Sequence, residues 1–455
     1  MLKQQAALQA ELDQRRIVGL LWVYFALLIG EGALRKWVLP GWSDALLVAR
    51  DPIAVAILFL AFRDNLIIGT GPGRGLAAVS VGFVVLALLQ IGLGDVLSLP
   101  VLLYGLRTYC LHPALIFVIG RVLTGRDLRR MTLVLMLLML PIALLMVEQF
   151  RAAPSDWINT GAGEGRMQIR SALDHIRPPG PFSFISGPVL FYSLGLACLV
   201  GSEFGRGRDL FLARCAGWIA LVIAVAVAGS RALVVGLVPV LAAVGLGIVM
   251  RPNVAGRLGR GAIVAAFIVA SVWSSAVVQD GFAVLRARVG EAAGSENVAS
   301  RATSTYTGAF AAVTDAPLFG YGLGLGTNAG NALLGAGMFR LGEDEWTRVI
   351  LEAGPLFGVS YLVWRLWLVL WLARGALRAA SLGYLFPMLC VGASVGNLVN
   401  GNWGQPTTQG FAVWTAGMAL AAWRVAHVSQ LRPVPLRARN DRRREPRVAR
   451  AIEAV

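Results

Sequence analysis

The sequence predicts an all-α, polytopic integral membrane protein with about twelve transmembrane helices, and three observations predict it. Hydrophobic residues make up 57% of the 455, only 15% are charged, and mean hydropathy is +0.68. Apolar runs about twenty residues long recur along the chain, each matching the thickness of a bilayer core. Arginines gather in alternate connections between those runs, which is the asymmetry that orients membrane helices. A net charge of +16 would point to nucleic acid in a soluble chain. Here the basic residues flank apolar runs, so orientation and anionic headgroups account for them and no nucleic-acid partner is expected.

In chain order, spans are expected near 17–34, 45–62, 76–93, 101–120, 131–150, 187–203, 211–228, 232–250, 261–279, 348–373, 382–400 and 406–424. Residues 1–16 are polar and mixed in charge, and no small-residue cleavage site follows the run that begins at Ile17. That run is expected to be an uncleaved first span rather than a signal peptide. One set of connections holds Arg15/Arg16, Arg63/Arg74, Arg121/Arg126/Arg129/Arg130, Arg206/Arg208, Arg251/Arg257/Arg260 and Arg374/Arg378. The short connections of the other set carry Arg35, Lys36 and Arg231, so both termini are expected in the cytoplasm. The membrane domain then covers 1–427. Residues 428–455, with the run Arg442-Arg443-Arg444, form a basic tail expected to be disordered and to rest on anionic lipid.

With this orientation two long loops, about 151–186 and 280–345, face outward. Loops of that length are usually functional or disordered. Within the second, Arg301–Asp315 has the pattern of a short amphipathic surface helix. Pro317–Gly326 is a glycine-rich turn suited to close backbone approach. A phosphate-binding loop would need a following Lys-Ser/Thr, which is absent. The four cysteines, at 110, 198, 215 and 390, show no paired spacing, so neither a disulfide framework nor a zinc site is indicated.

Charged residues concentrate at the outer ends of the spans. Glu343, Asp344, Glu345 and Arg348 stand where the second long loop meets the tenth span, with Glu352 a turn further in. Ionisable groups at the lip of a bilayer face a polar cavity or one another. The bland reading is an acidic helix N-terminus complementing its dipole. Arg50–Asp51 and Glu31–Arg35 are most simply intramembrane ion pairs, Arg107 pairs with Glu148, and Arg365 snorkels inward. His112 is expected as a packed core residue, and His175 is a weaker candidate base than the acids. Arg177 and Arg231 have no acidic neighbour in sequence, and a guanidinium fork suits a phosphate-bearing lipid. Three consecutive acids on a helix point in different directions, so no metal site is expected at 343–345.

At these residues the chain resembles the bacterial O-antigen polymerase and O-antigen ligase superfamily, membrane glycosyltransferases that use undecaprenyl-diphosphate-linked sugars. The resemblance runs through A-G-S-R (228–231), R-A-T-S…P-L-F-G-Y-G-L-G (301–324), E-D-E-W-T-R-V-I-L-E-A-G-P-L-F-G (343–358) and R-P-P-G-P-F-S-F (177–184), and covers roughly 165–375. The N-terminal E-G-A-L-R-K-W-V-L-P…R-D-P (31–52) looks like an exopolysaccharide-associated subset. The resemblance implies a C-type glycosyltransferase-like fold in the bacterial inner membrane and inverting transfer at its outer face without metal or cofactor. It implies that Arg177, Arg231 and Arg301 hold the donor diphosphate; Arg348, from the charged cluster at the start of the tenth span, is expected beside them, with Arg35, Arg50, Asp51 and Arg107 of the outer face in support. The family's histidine position corresponds to Glu343, which departs from the ligase pattern. Glu343, with Glu345 as the second acid, is then the expected base. Implied partners are a lipid-linked glycan donor, a glycan acceptor, membrane lipids, and proteins for chain-length regulation or export. The expected activity is polymerisation of repeat units, with a glycan ligase or a lipid-linked-glycan flippase as alternatives. A flippase would favour charges throughout the bilayer and helices broken at its midplane. A metal-dependent transferase and a non-enzymatic scaffold are the remaining competitors.

Overall fold

The computed structural model describes residues 2–63, 66, 69–93, 98–162, 168, 175–204, 210–295, 298–334, 341 and 344–431. Among them the secondary structure is helical throughout, with no strand. A backbone in lipid must satisfy its own polar groups, and the helix does so within one segment. Among the described residues, seven helical stretches are long and apolar enough to cross a membrane: Leu12–Val38, Ala45–Arg63, Gly71–Leu93, Leu99–Val122, Gly125–Arg151, Arg231–Met250 and Glu345–Ser381. Ser186–Ser202, Phe211–Val227 and Phe386–Asn400 are shorter apolar helices. The chain is thus an all-helical membrane protein. Its outer surface fits that class, since Phe59, Phe267 and Val249 are all more than 70% exposed.

The elements that position the site are α1 (Leu2–Ala33), α2 (Asp51–Arg63), α3 (Gly71–Leu93), α4 (Leu99–Leu106), α5 (His112–Val122), α6 (Gly125–Arg151), α7 (Ser186–Ser202), α8 (Phe211–Val227) and α9 (Arg231–Met250). After them come α10 (Ala255–Trp273), α11 (Ala276–Ser295), α12 (Val298–Asp315), α13 (Asn328–Leu333), α14 (Glu345–Ser381), α15 (Phe386–Asn400) and α16 (Pro406–Leu431). A capping box starts α6: Thr124 and Asp127 exchange side-chain-to-backbone bonds of 2.9 and 3.3 Å. The centre of the bundle is α16, which packs on α5, α14, α15 and α7. Its buried run Phe411–Ala422 is rich in small residues, and Gly417 lies directly against Ile119 while Gly120 lies against Leu420. Small residues let helices approach closely where lipid supplies no hydrophobic drive.

Contacts between helix ends define two faces. At one face Arg63 pairs with Asp13, Arg214 with Glu203 at 3.0 Å, and Arg251 and Arg424 donate to the carbonyls of Ser381 and Leu123. The other face carries residues 31–51, 104–109, 177–184, 317–334, 344–352 and 397–409.

The structure differs from the sequence expectation in three places. Residues 280–345 are not one long loop, because α11 runs to Ser295, α12 follows, and α13 precedes α14. Val278 and Val284 of α11 are buried, with Phe282 and Ala287 packed behind them. Polar residues interleave that helical spacing and hide its apolar stripe. The stretch 261–279 is divided by a break at Ser274–Ser275. The segment 301–315 is helical within α12, but it packs on α14, where the Tyr306 ring meets Trp346 at 5.3 Å, rather than lying alone on a membrane surface.

Candidate functional site

The site begins with a break in α14. Gly354 adopts φ +75°, and Pro355 lacks the N–H that would bond the Leu351 carbonyl. Tyr321 N–H bonds that carbonyl instead, at 2.8 Å, and Gly322 N–H reaches the Glu352 carbonyl at 3.3 Å. The glycine-rich segment 317–327 is thereby drawn in beside α14. The Gln90 amide completes the join, donating to Phe319 O (2.7 Å) and Glu352 O (3.2 Å) and accepting from Leu323 N–H (3.0 Å). Gly324, at φ +88°, lies so close to the Val101 carbonyl that no side chain fits between them.

Four charged residues of α14 meet inside this fold. Glu352 accepts from Arg348 Nη1 (2.9 Å), Tyr109 Oη (2.7 Å), Gly324 N–H (3.2 Å) and Gly326 N–H (2.8 Å). Glu345 accepts from Arg348 Nε (2.9 Å) and Arg365 Nη1 (2.6 Å). Arg365 also donates to the carbonyls of Leu398 (2.8 Å), Asn397 (3.2 Å) and Gly401 (3.0 Å), and its guanidinium stacks on Trp403 at 4.2 Å. All four side chains are 1% exposed or less. Two carboxylates balance two guanidiniums. A buried pair persists when most of its remaining donors and acceptors are met; here Arg348 Nη2 makes no hydrogen bond but stands 2.9 Å from Glu345 in the ion pair. The cluster therefore clamps α14 to the glycine-rich segment, to the π-helical turn Arg107–Leu111 and to the end of α15.

A second cluster lies on the other side of that π-helical turn. Asp51 accepts from Arg107 Nη2 (2.6 Å) and lies 3.0 Å from His112 Nε2, while His112 Nδ1 lies 3.0 Å from Tyr24 Oη. Arg50 pairs with Glu31 at 2.9 Å. Arg35 reaches the Ser43 carbonyl (2.8 Å) and Ser183 Oγ (3.2 Å), and stands 3.9 Å from Glu31. Lys36 donates to the Gly180 carbonyl at 2.6 Å. Four basic side chains here face two carboxylates. Asp51 is the partly open member, with 19% of its side chain exposed.

These contacts replace several expected pairings. Arg50 pairs with Glu31 rather than Asp51, and Arg107 with Asp51 rather than Glu148, because the 3-10 turn Ala45–Val48 separates α1 from α2 and reorients them. Arg365 does not snorkel to a surface; it is buried against Glu345. His112 is a hydrogen-bonded link rather than only packing. His175 stacks on Phe150 at 4.1 Å with Nδ1 bonded to the Phe150 carbonyl.

Of the remaining expected site residues, Arg177 and Arg231 sit at the same face. Arg177 is half-buried at the start of the segment 177–184. That segment is pinned by Gly180 N–H to Gln149 Oε1 (2.8 Å), by Lys36 and Arg35, and by backbone contact of Pro181–Ser183 with Gly32. Arg231 is the first residue of α9 and half-buried. Gly236 of α9 faces Val189 and Ser193 of α7, which sets Arg231 near the level where 177–184 enters α7. Arg301 lies on α12, and its side chain is outside the described residues, as is the whole of Glu343. Sequence reasoning placed Glu352 beside the acidic cluster and read Arg365 as snorkelling inward, without a partner for either, and did not single out Tyr109 or Tyr24. The spacing of Glu345, Arg348 and Glu352 by three and four was the available signal, since it places them on one helix face.

Among the described residues no group of three or more His, Cys, Asp or Glu is placed to hold a metal ion. No protein-family model, no curated protein and no solved structure matches this chain.

Proposed function

We propose that the protein is a membrane glycosyltransferase that polymerises polyprenyl-diphosphate-linked oligosaccharide units at the outer face of a bacterial inner membrane. The observation that carries this reading is the gathering of basic side chains at one end of the bundle. In the cluster around Asp51, Arg35, Lys36, Arg50 and Arg107 gather about Glu31 and Asp51, and Arg177 and Arg231 lie at the same end. Cations clustered at one end of a membrane bundle favour an anionic ligand, and guanidinium forks fit phosphate oxygens.

In the reaction the acceptor hydroxyl oxygen bonds to C1 of the donor sugar as the C1–O–phosphate bond breaks. Polyprenyl diphosphate leaves with the bonding electron pair, and the hydroxyl proton passes to a base. Arg177, Arg231 and Arg301 stabilise the charge developing on the diphosphate. Glu343 takes the proton. Glu345 and Arg348, fully engaged with Arg365 and Glu352, hold the start of α14 in place instead of exchanging protons or binding donor.

The test is the glycan profile of a strain lacking the gene, complemented by variants. Loss of long polymer with single repeat units retained supports polymerisation. Accumulated lipid-linked polymer means a ligase, and lipid-linked units trapped inside the cell mean a flippase. Arg231→Lys keeps the charge but loses the planar fork, so long polymer should fall sharply at unchanged protein level.

A further inference from the structure

A cavity of about 640 Å³ opens at the opposite face, between the ends of α5, α14 and α16. Its walls are apolar, led by Trp371 and Trp423, whose rings meet edge to face at 4.9 Å. Its rim carries Arg121, Arg378, Arg424 and His427, and no acidic residue lines it among the described residues. Arg424 donates one Nη to the Leu123 carbonyl. Its Nε is buried with no partner among the described residues. Arg121 and Arg378 are exposed at the last turns of their helices.

We infer that this cavity binds an anionic phospholipid of the adjoining leaflet. The phosphodiester sits among Arg121, Arg378 and Arg424, and the first part of the acyl chains lies along Trp371 and Trp423. Three features support a lipid over a soluble anion. The volume is in the range of ligand pockets and far exceeds a phosphate. The walls below the cationic rim are apolar, which suits an amphipathic ligand. The face holds the arginine-rich connections, and basic pockets between helices on such a face suit acidic headgroups. The site is at the far end of the bundle from the charge network, so its occupancy is measurable without any transfer reaction.

The test uses full-length protein in neutral detergent, with lipid retention read by native mass spectrometry. Phosphatidylglycerol, phosphatidylcholine and inorganic phosphate are the probes. Phosphatidylglycerol should bind in preference to phosphatidylcholine, and inorganic phosphate should not displace it. Arg121→Gln with Arg378→Gln should weaken phosphatidylglycerol binding about hundredfold, at roughly tenfold per charge-assisted bond. Arg126→Gln with Arg130→Gln removes the same charge outside the cavity and should leave binding unchanged. Arg378→Gln alone, at an exposed position, should weaken binding about tenfold and serves if the pair folds poorly. Equal binding of phosphatidylcholine, displacement by phosphate, or an equal loss in the control pair would overturn the assignment.

Discussion

Glu352 and Glu343 separate two roles that a run of charged residues can play. Glu352 has four donors and no exposure, so its charge is part of the packing. Glu352→Gln leaves Arg348 under-compensated and presents an amide N–H₂ where only donors converge. Breaking one side of a buried pair costs about 3–5 kcal/mol, so the melting temperature in detergent should drop strongly. An unchanged melting temperature would mean that the pair adds nothing to stability. Glu343→Gln should leave melting unaltered while transfer falls roughly hundred- to ten-thousand-fold, as for loss of a general base. Normal transfer by that variant would remove Glu343 from the mechanism. The sequence made the charged residues visible but not their partners. Arg107 meets Asp51 across 56 residues and Tyr109 meets Glu352 across 243, and no local pattern encodes such pairs.

At the scale of elements, the break in α14 depends on a residue without a side chain. A Cβ at Gly354 would strike the Leu318 carbonyl and come within 2.9 Å of Gly320 N, at a backbone angle that L-residues rarely adopt. Gly354→Ala should therefore destabilise the protein and separate segment 317–327 from α14. A cysteine pair introduced at Leu318 and Leu356, both exposed, should show that separation as increased spin-label distance relative to wild type. An unchanged distance and melting point would show that the break tolerates a side chain. The apolar runs were legible from length and hydropathy, and helices lie along each of them. Helix α11 was not, because its buried residues are diluted by polar ones and its packing partner α8 is distant in sequence; the helix at 301–315 was legible, but not its packing on α14. The glycine-rich turn was legible as a place of close approach, but what it approaches was not.

For the whole molecule, the two faces differ in kind: one holds a buried network of both signs, the other a rim of arginines. The arginine asymmetry predicts that the networked face lies outside. A phosphatase reporter fused near Gly163 or Gly294 should be active, and one near Asn253 inactive. The reverse pattern would place the network in the cytoplasm, away from the proposed reaction. Composition and charge alternation made the class of protein legible, whereas the cluster of basic side chains around Asp51 emerged only when helix ends were brought together. The most direct measurement is transfer by purified protein in vesicles supplied with a radiolabelled polyprenyl-diphosphate-linked repeat unit. Longer glycans on the lipid, with release of free polyprenyl diphosphate and their loss in Arg231→Lys, are the expected result. A labelled donor that stays one unit long in the presence of folded, correctly inserted protein would contradict the proposed polymerase.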